Sequence, residues 1–145
     1  TILDTFVKVP TKVTDFRTHV SGVKPKHLKD TAAMDETVCR QKVAELLKNK
    51  ILVGHALKND LNVLYLQHCD YRDTAKYQPF QRLVGKKYKP RKLRDLVKEH
   101  CGMTIQDGSH DSVQDAKATM ELYKSVHVLW EKELELKQAK KSRRS

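Results

Sequence analysis

Ile51-Leu52-Val53-Gly54-His55-Ala56-Leu57-Lys58-Asn59-Asp60 is the stretch on which the fold turns. Ile51 to Val53 is a short apolar run between Lys50 and Gly54, the pattern of a buried parallel strand. Helical spacing resumes from Asp60 to about His68 through Leu61, Leu64 and Tyr65. Strand, loop and helix follow in that order, and in open α/β sheets such a loop, at the carboxyl end of a strand, is where sites are built. Asp60 would then project into a cleft. A carboxylate opening a helix is also an ordinary partner of the helix dipole, so Asp60 alone decides nothing.

Working outward, residues 35–49 place Cys39, Val43, Leu46 and Leu47 on one helical face, which predicts a helix covering a sheet. Upstream, Ile2 to Val9 reads as a strand stopped by Pro10, and the segment to about Ala33 as loop and short turns. Downstream, Tyr71 to Thr74 is a second short strand, and Pro90 to His100 a basic amphipathic helix closed by Gly102. The last helix is read from Val113, Ala116, Met120, Tyr123, His127, Trp130 and Leu134, which recur at three and four and form a core face, with Asp111-x-x-Gln114 as its capping box. Alternating strands and helices predict an α/β fold. The domain is expected to span residues 1–136, and residues 137–145 to form a disordered basic tail.

Composition narrows the partners. The chain has 145 residues, 29 Lys and Arg against 18 Asp and Glu, and a formal charge of +11. Such an excess favours a polyanion through counterion release, nucleic acid before others, although part of it also serves solubility. No apolar run approaches the roughly 20 residues of a membrane span, and the first residues lack the pattern of a secretory signal, so no membrane partner and an intracellular protein are expected. Cys39, Cys69 and Cys101 lie far apart and are expected as free thiols; a zinc site assembled from His68-Cys69 and His100-Cys101 is the weaker reading.

A second candidate constellation is His110-Asp111-Ser112-Val113-Gln114-Asp115. His110 precedes the last helix and Asp115 sits near its start, so both can face one cleft. A histidine with a pKa near 6.5 can take a proton at neutral pH, and hard carboxylates suit Mg²⁺ or Mn²⁺. Each residue alone has an ordinary explanation, a solvated loop histidine and a helix-start acid. The joint pattern is more specific: an apolar strand, G-H-x-x-x-x-D, and about fifty residues later H-x-x-x-x-D opening a helix.

That pattern resembles the second and third motifs of DEDD exonucleases, in the variant with a catalytic histidine. Val13-Thr14-Asp15-Phe16-Arg17-Thr18-His19-Val20-Ser21-Gly22-Val23 is similar to a stretch of the RNA exonuclease 4 family and its interferon-stimulated relatives. Arg72-Asp73-Thr74, Lys76-Tyr77-x-Pro79-Phe80 and Ser112 through Tyr123 resemble the same family. The resemblance covers residues 1 to about 132 and implies a ribonuclease H-like fold, a mixed sheet flanked by helices. It also implies 3′-to-5′ hydrolysis of RNA, often of single-stranded DNA too, with two Mg²⁺ or Mn²⁺ ions, and a nuclear, nucleolar role in ribosomal RNA processing.

Carried over by position, Asp60 and Asp115 are metal ligands and His110 the catalytic base. Arg17, Ser21, Gly22, His55 and Asn59 are expected at the substrate. Lys137, Lys140, Lys141, Arg143 and Arg144 suit a nuclear-targeting or RNA-binding tail. The family's first motif, an Asp-x-Glu supplying two more ligands, would lie upstream of Thr1, together with strands that sit between the family's third and fourth. The chain is therefore expected to be a fragment, a misjudged gene start or a degenerate copy. Strands missing from the middle of a sheet leave buried backbone groups unpaired, at about 1 to 3 kcal/mol each. A rival expectation is an inactive nucleic-acid-binding module that uses Lys86, Lys87, Lys89, Arg91, Lys92 and Arg94. A proofreading subunit acting on DNA shares the motifs and is disfavoured by the segment around Arg17.

Overall fold

The computed structural model describes residues 3–8, 14–15, 17, 21, 23–29, 32–106 and 108–144. In chain order they form β1 (Val7–Lys8), α1 (Pro25–Lys29), β2 (Met34–Asp35), α2 (Glu36–Leu47), β3 (Leu52–Gly54) and α3 (Lys58–Val63). There follow β4 (Tyr71–Asp73), a 3₁₀ turn (Gln78–Phe80), β5 (Arg82–Val84), β6 (Lys87–Lys89), α4 (Leu93–Cys101) and α5 (Ser112–Ser142). The class is α/β, as expected. The ends of the strand read from Ile2 to Val9 lie outside the described residues, and its described part is the two-residue β1.

Helix α2 starts where Asp35 turns its carboxylate onto the Thr37 and Val38 amides, at 2.9 and 3.4 Å, satisfying two of the donors that every helix start leaves open. Its inner face, Val43 and Leu47, packs on a cluster of Leu57, Leu61 and Leu66 together with Leu52 of β3. Asn49 then takes a left-handed φ of +57°, which asparagine tolerates better than most residues, and the chain turns back into β3.

β3 runs parallel to β4 in the register Leu52↔Tyr71, Val53↔Arg72, Gly54↔Asp73, with α3 lying in the crossover between them. β1 pairs in parallel with β2, and β5 with β6 in antiparallel. Among the described residues these are three separate two-stranded sheets. The expectation of a buried strand at Ile51 to Val53 is corrected by this: β3 is only half-buried and Ile51 is 45% exposed. Its edge away from β4 pairs with no described strand.

The second and larger core lies between α4 and α5. Leu96, Val97, Ala118 and Leu122 are closed to solvent, with Phe80, Ile105 and Leu93 around them. Tyr77 stacks on Trp130 at a ring separation of 4.3 Å. The buried line on α5 is Ala118, Leu122 and Trp130, with Val126 and Leu134 packed against it. This departs in part from the expected face, of which Tyr123, Trp130 and Leu134 do join the core. Met120 and His127 point to solvent, because the helix seats an i, i+4 ridge against α4 rather than the three-and-four stripe read from its larger side chains. Arg72 on β4 reaches Glu131 on α5 with two parallel hydrogen bonds, 2.6 and 2.9 Å, and ties the smaller core to the larger.

Two boundaries also shift. Helix α4 begins at Leu93 rather than Pro90, and it ends at Gly102 with φ +65°. An added Cβ at Gly102 would meet nothing within 4 Å, so the left-handed backbone, not a lack of space, calls for glycine. Helix α5 continues to Ser142, through most of the segment expected to be a disordered tail. Lys, Gln, Ala and Glu are good helix formers, no glycine or proline interrupts them, and the basic residues at the end suit the helix dipole.

Candidate active site

The β3–α3 loop is shaped by one buried carboxylate. Asp73, 4% exposed, accepts the amides of Ala56 (2.8 Å) and Ala75 (2.9 Å) on Oδ1 and that of Leu57 (3.1 Å) on Oδ2. The bond to Ala75 is an Asx turn, and the other two reach across from the end of β4 to the end of β3. Ala56 takes φ +59° in this loop. Leu57 folds back over Gly54 so closely that an added Cβ would lie 2.2 Å from its side chain. The loop so held starts α3, with Asp60 in the first turn.

His55 is fixed from both sides. Its Nε2 lies 3.0 Å from the Arg91 carbonyl, which can only accept, so Nε2 carries the proton. Burial lowers its pKa below the usual 6.5, outweighing the backbone carbonyl and the carboxylates of Asp73 and Asp115. A neutral ring leaves Nδ1 as acceptor for the Thr74 hydroxyl at 2.8 Å. That hydroxyl also lies 3.1 Å from the Gly54 carbonyl, which the Thr74 amide already satisfies at 2.8 Å. Both ring nitrogens are therefore occupied by protein groups, and His55 joins the loop, β4 and the approach to α4.

The opposite wall comes from α5 and the segment before it. Asp111 caps the helix through the amides of Val113 (2.9 Å) and Gln114 (3.2 Å), as its sequence position predicts. Asp115 is half-buried in the first turn. Gln106, at φ +61°, donates from Nε2 to Asp115 Oδ1 at 2.9 Å. His110 brings Nδ1 to 4.0 Å from Asp115 Oδ2 and leaves 45% of its side chain open.

Asp60, His55, His110 and Asp115 face one cleft of about 580 Å³, which Leu57, Gln106, Lys92, Arg94 and Thr119 also line. The carboxyl of Asp60 is pushed up from the usual range, first by partial burial and then by the negative charge of Asp73. A cleft in which a carboxylate resists ionisation is one that a cation would stabilise.

Among the described residues no group of three or more His, Cys, Asp or Glu side chains is gathered as a ready metal cage. Two carboxylates on one cleft nevertheless match the way Mg²⁺ is held in phosphate chemistry, where one or two carboxylates share it with water and substrate oxygens. The donor set fits that role. Of the other expected contacts, Asn59 is exposed on α3 outside the cleft lining. Arg17, in the segment before α1, is also outside it, its side chain 78% exposed and 3.8 Å from Asp15. Ser21 accepts the Val23 amide at 3.1 Å, and Gly22 lies outside the described residues.

Sequence reasoning did not single out Gln106 or Thr119 for this cleft, and it had Lys92 and Arg94 only as part of a basic surface. Asp73 stood only within a family segment. Its signal was available: an aspartate followed by Thr-Ala at the end of a short strand is the composition of an Asx turn.

A sequence profile of the exonuclease (RNase T) family matches residues 2–123. RNA exonuclease 4 of Aspergillus fumigatus is 44% identical over 134 residues, which are 91% of this chain and 42% of that protein. RNA exonuclease 4 of Homo sapiens is 46% identical over 132 residues, 90% of this chain and 30% of that protein. The chain thus spans less than half the length of these relatives. In structure it is similar to the Pan2 pseudoubiquitin hydrolase-RNA exonuclease module of Saccharomyces cerevisiae in complex with AAGGA RNA. The TM-score is 0.72 at 32% identity, over 98% of this chain and 25% of that one. The likeness accords with a ribonuclease H-like exonuclease fold.

Proposed function

Because the chain belongs to the exonuclease family, we propose that its cleft hydrolyses phosphodiester bonds of RNA one nucleotide at a time from the 3′ end, with a divalent cation as cofactor. One observation carries the reading: the two motifs, about fifty residues apart in sequence, meet across a single cleft, with His110 4.0 Å from Asp115. Kinship with RNA exonuclease 4 supports RNA as substrate, and a nuclear role in ribosomal RNA processing rests on the same kinship.

His110 is the candidate base. Exposed at the cleft, with Nδ1 4.0 Å from Asp115 Oδ2, it can reach a water molecule there and take its proton. Gln106 holds the Asp115 carboxylate from its other oxygen, so the pair keeps its orientation as the proton arrives. Lys92 and Arg94 line the cleft as phosphate partners. Asp60 and Asp115 would hold Mg²⁺ or Mn²⁺, which when bound supplies stabilisation of charge on the attacking and leaving oxygens. Among the remaining expected contacts, Asn59, Arg17, Ser21 and Gly22 are assigned to substrate by the family pattern alone, and His55 positions the loop.

The test is a product ladder: 5′-labelled single-stranded RNA with Mg²⁺, with Mn²⁺ and with chelator. Stepwise shortening that stops with chelator is expected. A label released at once as a mononucleotide would reverse the polarity. A second reading, a nucleic-acid-binding module without turnover, is favoured by the presence of only two carboxylates among the described residues that line the cleft. It predicts RNA binding that falls with salt and no ladder in any metal.

A further inference from the structure

From Thr74 to Arg94 the chain carries eight Lys and Arg and no acidic residue, so this stretch holds most of the formal charge of +11. Its middle is the β5–β6 hairpin, closed by the two-residue turn Gly85-Lys86 with Gly85 at φ +61°. Glycine with positive φ at the first central position is the pattern of a type II′ turn, whose twist suits adjoining strands. An added Cβ at Gly85 would meet nothing within 4 Å, so the tip stands in open space.

Every residue of both strands is exposed. A two-stranded hairpin with neither face covered is marginal in water, and it gains most from a partner that covers a face. Leu83 and Tyr88 are directly paired across the ladder, so they share one face, and they are 61% and 51% exposed. Arg82, Lys87 and Lys89 belong to the other face, and Lys86 to the tip. Strands in a ribbon are only about 5 Å apart, so lysine and arginine stems reach past the edges toward the aromatic side. Four residues beyond Tyr88, Lys92 lines the cleft, and four residues span at most about 14 Å.

An exposed aromatic ring bordered by cations is the recognition set of single-stranded nucleic acid: the ring stacks on a base and the cations meet phosphates. An acidic protein would satisfy the cations and leave Leu83 and Tyr88 unused. We infer that the hairpin is a second platform for the RNA strand whose 3′ end enters the cleft, with a base on Tyr88 and its flanking phosphates on Lys86, Lys87 and Lys89. At roughly 3.4 Å per stacked nucleotide, the platform meets the strand no more than about four nucleotides from the cleft. The inference rests on the nuclease reading of that cleft.

The experiment is fluorescence anisotropy of labelled single-stranded RNAs of graded length, from trinucleotide to dodecamer, in chelator so that no cleavage occurs. Wild-type affinity is expected to rise once the RNA exceeds about four nucleotides. Tyr88→Ala should lose that gain, about tenfold on the dodecamer, and leave the shortest RNAs unchanged, while Tyr88→Phe retains it. Replacing Lys86 and Lys87 by Ala should reduce the dependence of log affinity on log salt by about 1.4. Wild-type binding that Tyr88→Ala leaves intact at every length, or weakens equally at every length, overturns the inference and leaves the cleft reading standing. A wild-type chain that binds no RNA at low salt overturns both.

Discussion

Asp73 shows how much one buried carboxylate can organise. It satisfies three backbone amides, two of them in the loop that delivers Asp60. Asp73→Ala leaves those donors without their partner and is expected to destabilise the chain by about 3 kcal/mol. Thermal unfolding would show this as a drop in Tm, and an unchanged Tm would mean that water replaces the carboxylate without loss. His55 contributes a pH dependence of definite sign. Its folded pKa is depressed by burial below the ordinary 6.5, so below that pH the unfolded chain binds a proton that the folded chain refuses. This contribution to stability is complete above pH 6.5 and is lost as pH falls toward and through the lower folded value. Melts from pH 8 to 5 should therefore fall more steeply for the wild type than for His55→Gln, and parallel curves would contradict the assignment.

At the level of elements, the α4–α5 contact holds the larger of the two described apolar clusters. Leu96 is closed to solvent at its centre, and Leu96→Ala is expected to cost about 2 to 5 kcal/mol in denaturant titrations, with the m-value unchanged. Gly102→Ala should cost about 1 kcal/mol through its left-handed backbone alone. Most of these elements could be read in advance where a local signal was strong: Asp35 and Asp111 at helix starts, Gly102 at a helix end, the Ile51 run as a strand. The reading failed where packing decides. The buried ridge of α5 runs through Ala118 and Leu122 rather than Met120 and His127, because a small residue is what lets α4 approach, and size alone does not reveal it. The β5–β6 hairpin escaped notice because its strands alternate lysine with single apolar residues and bury nothing. Asp60, His110 and Asp115 were legible from their spacing. Gln106 was not, since its contact with Asp115 depends on a left-handed turn that no composition announces.

Across the whole molecule, the described residues form two apolar clusters, the smaller built on β3, β4 and α3 and the larger on α4 and α5, and the cleft opens where β3 ends and α5 begins. Arg72 and Glu131 couple the two halves, and the hydrogen bonds to Glu131, with the Asp70 carboxylate beside them, favour the charged guanidinium against the opposing effect of burial. Removing one partner of this half-buried pair should loosen the cleft as well as lower stability, so Glu131→Ala is expected to weaken RNA shortening and Tm together. A fall in Tm with undiminished shortening would separate the two. The cleft reading requires Asp60, His110 and Asp115 to act as a unit, and groups that act as a unit are strongly non-additive when removed. The most direct test is therefore the shortening rate of single-stranded RNA in Mg²⁺ by the wild type, by Asp60→Ala, His110→Ala and Asp115→Ala, and by the double variant Asp60→Ala with Asp115→Ala. Each single variant should lose about a hundredfold or more, and the double should be no worse than the poorer single. Full activity in any single variant, or RNA bound by the wild type and never shortened, would contradict the account.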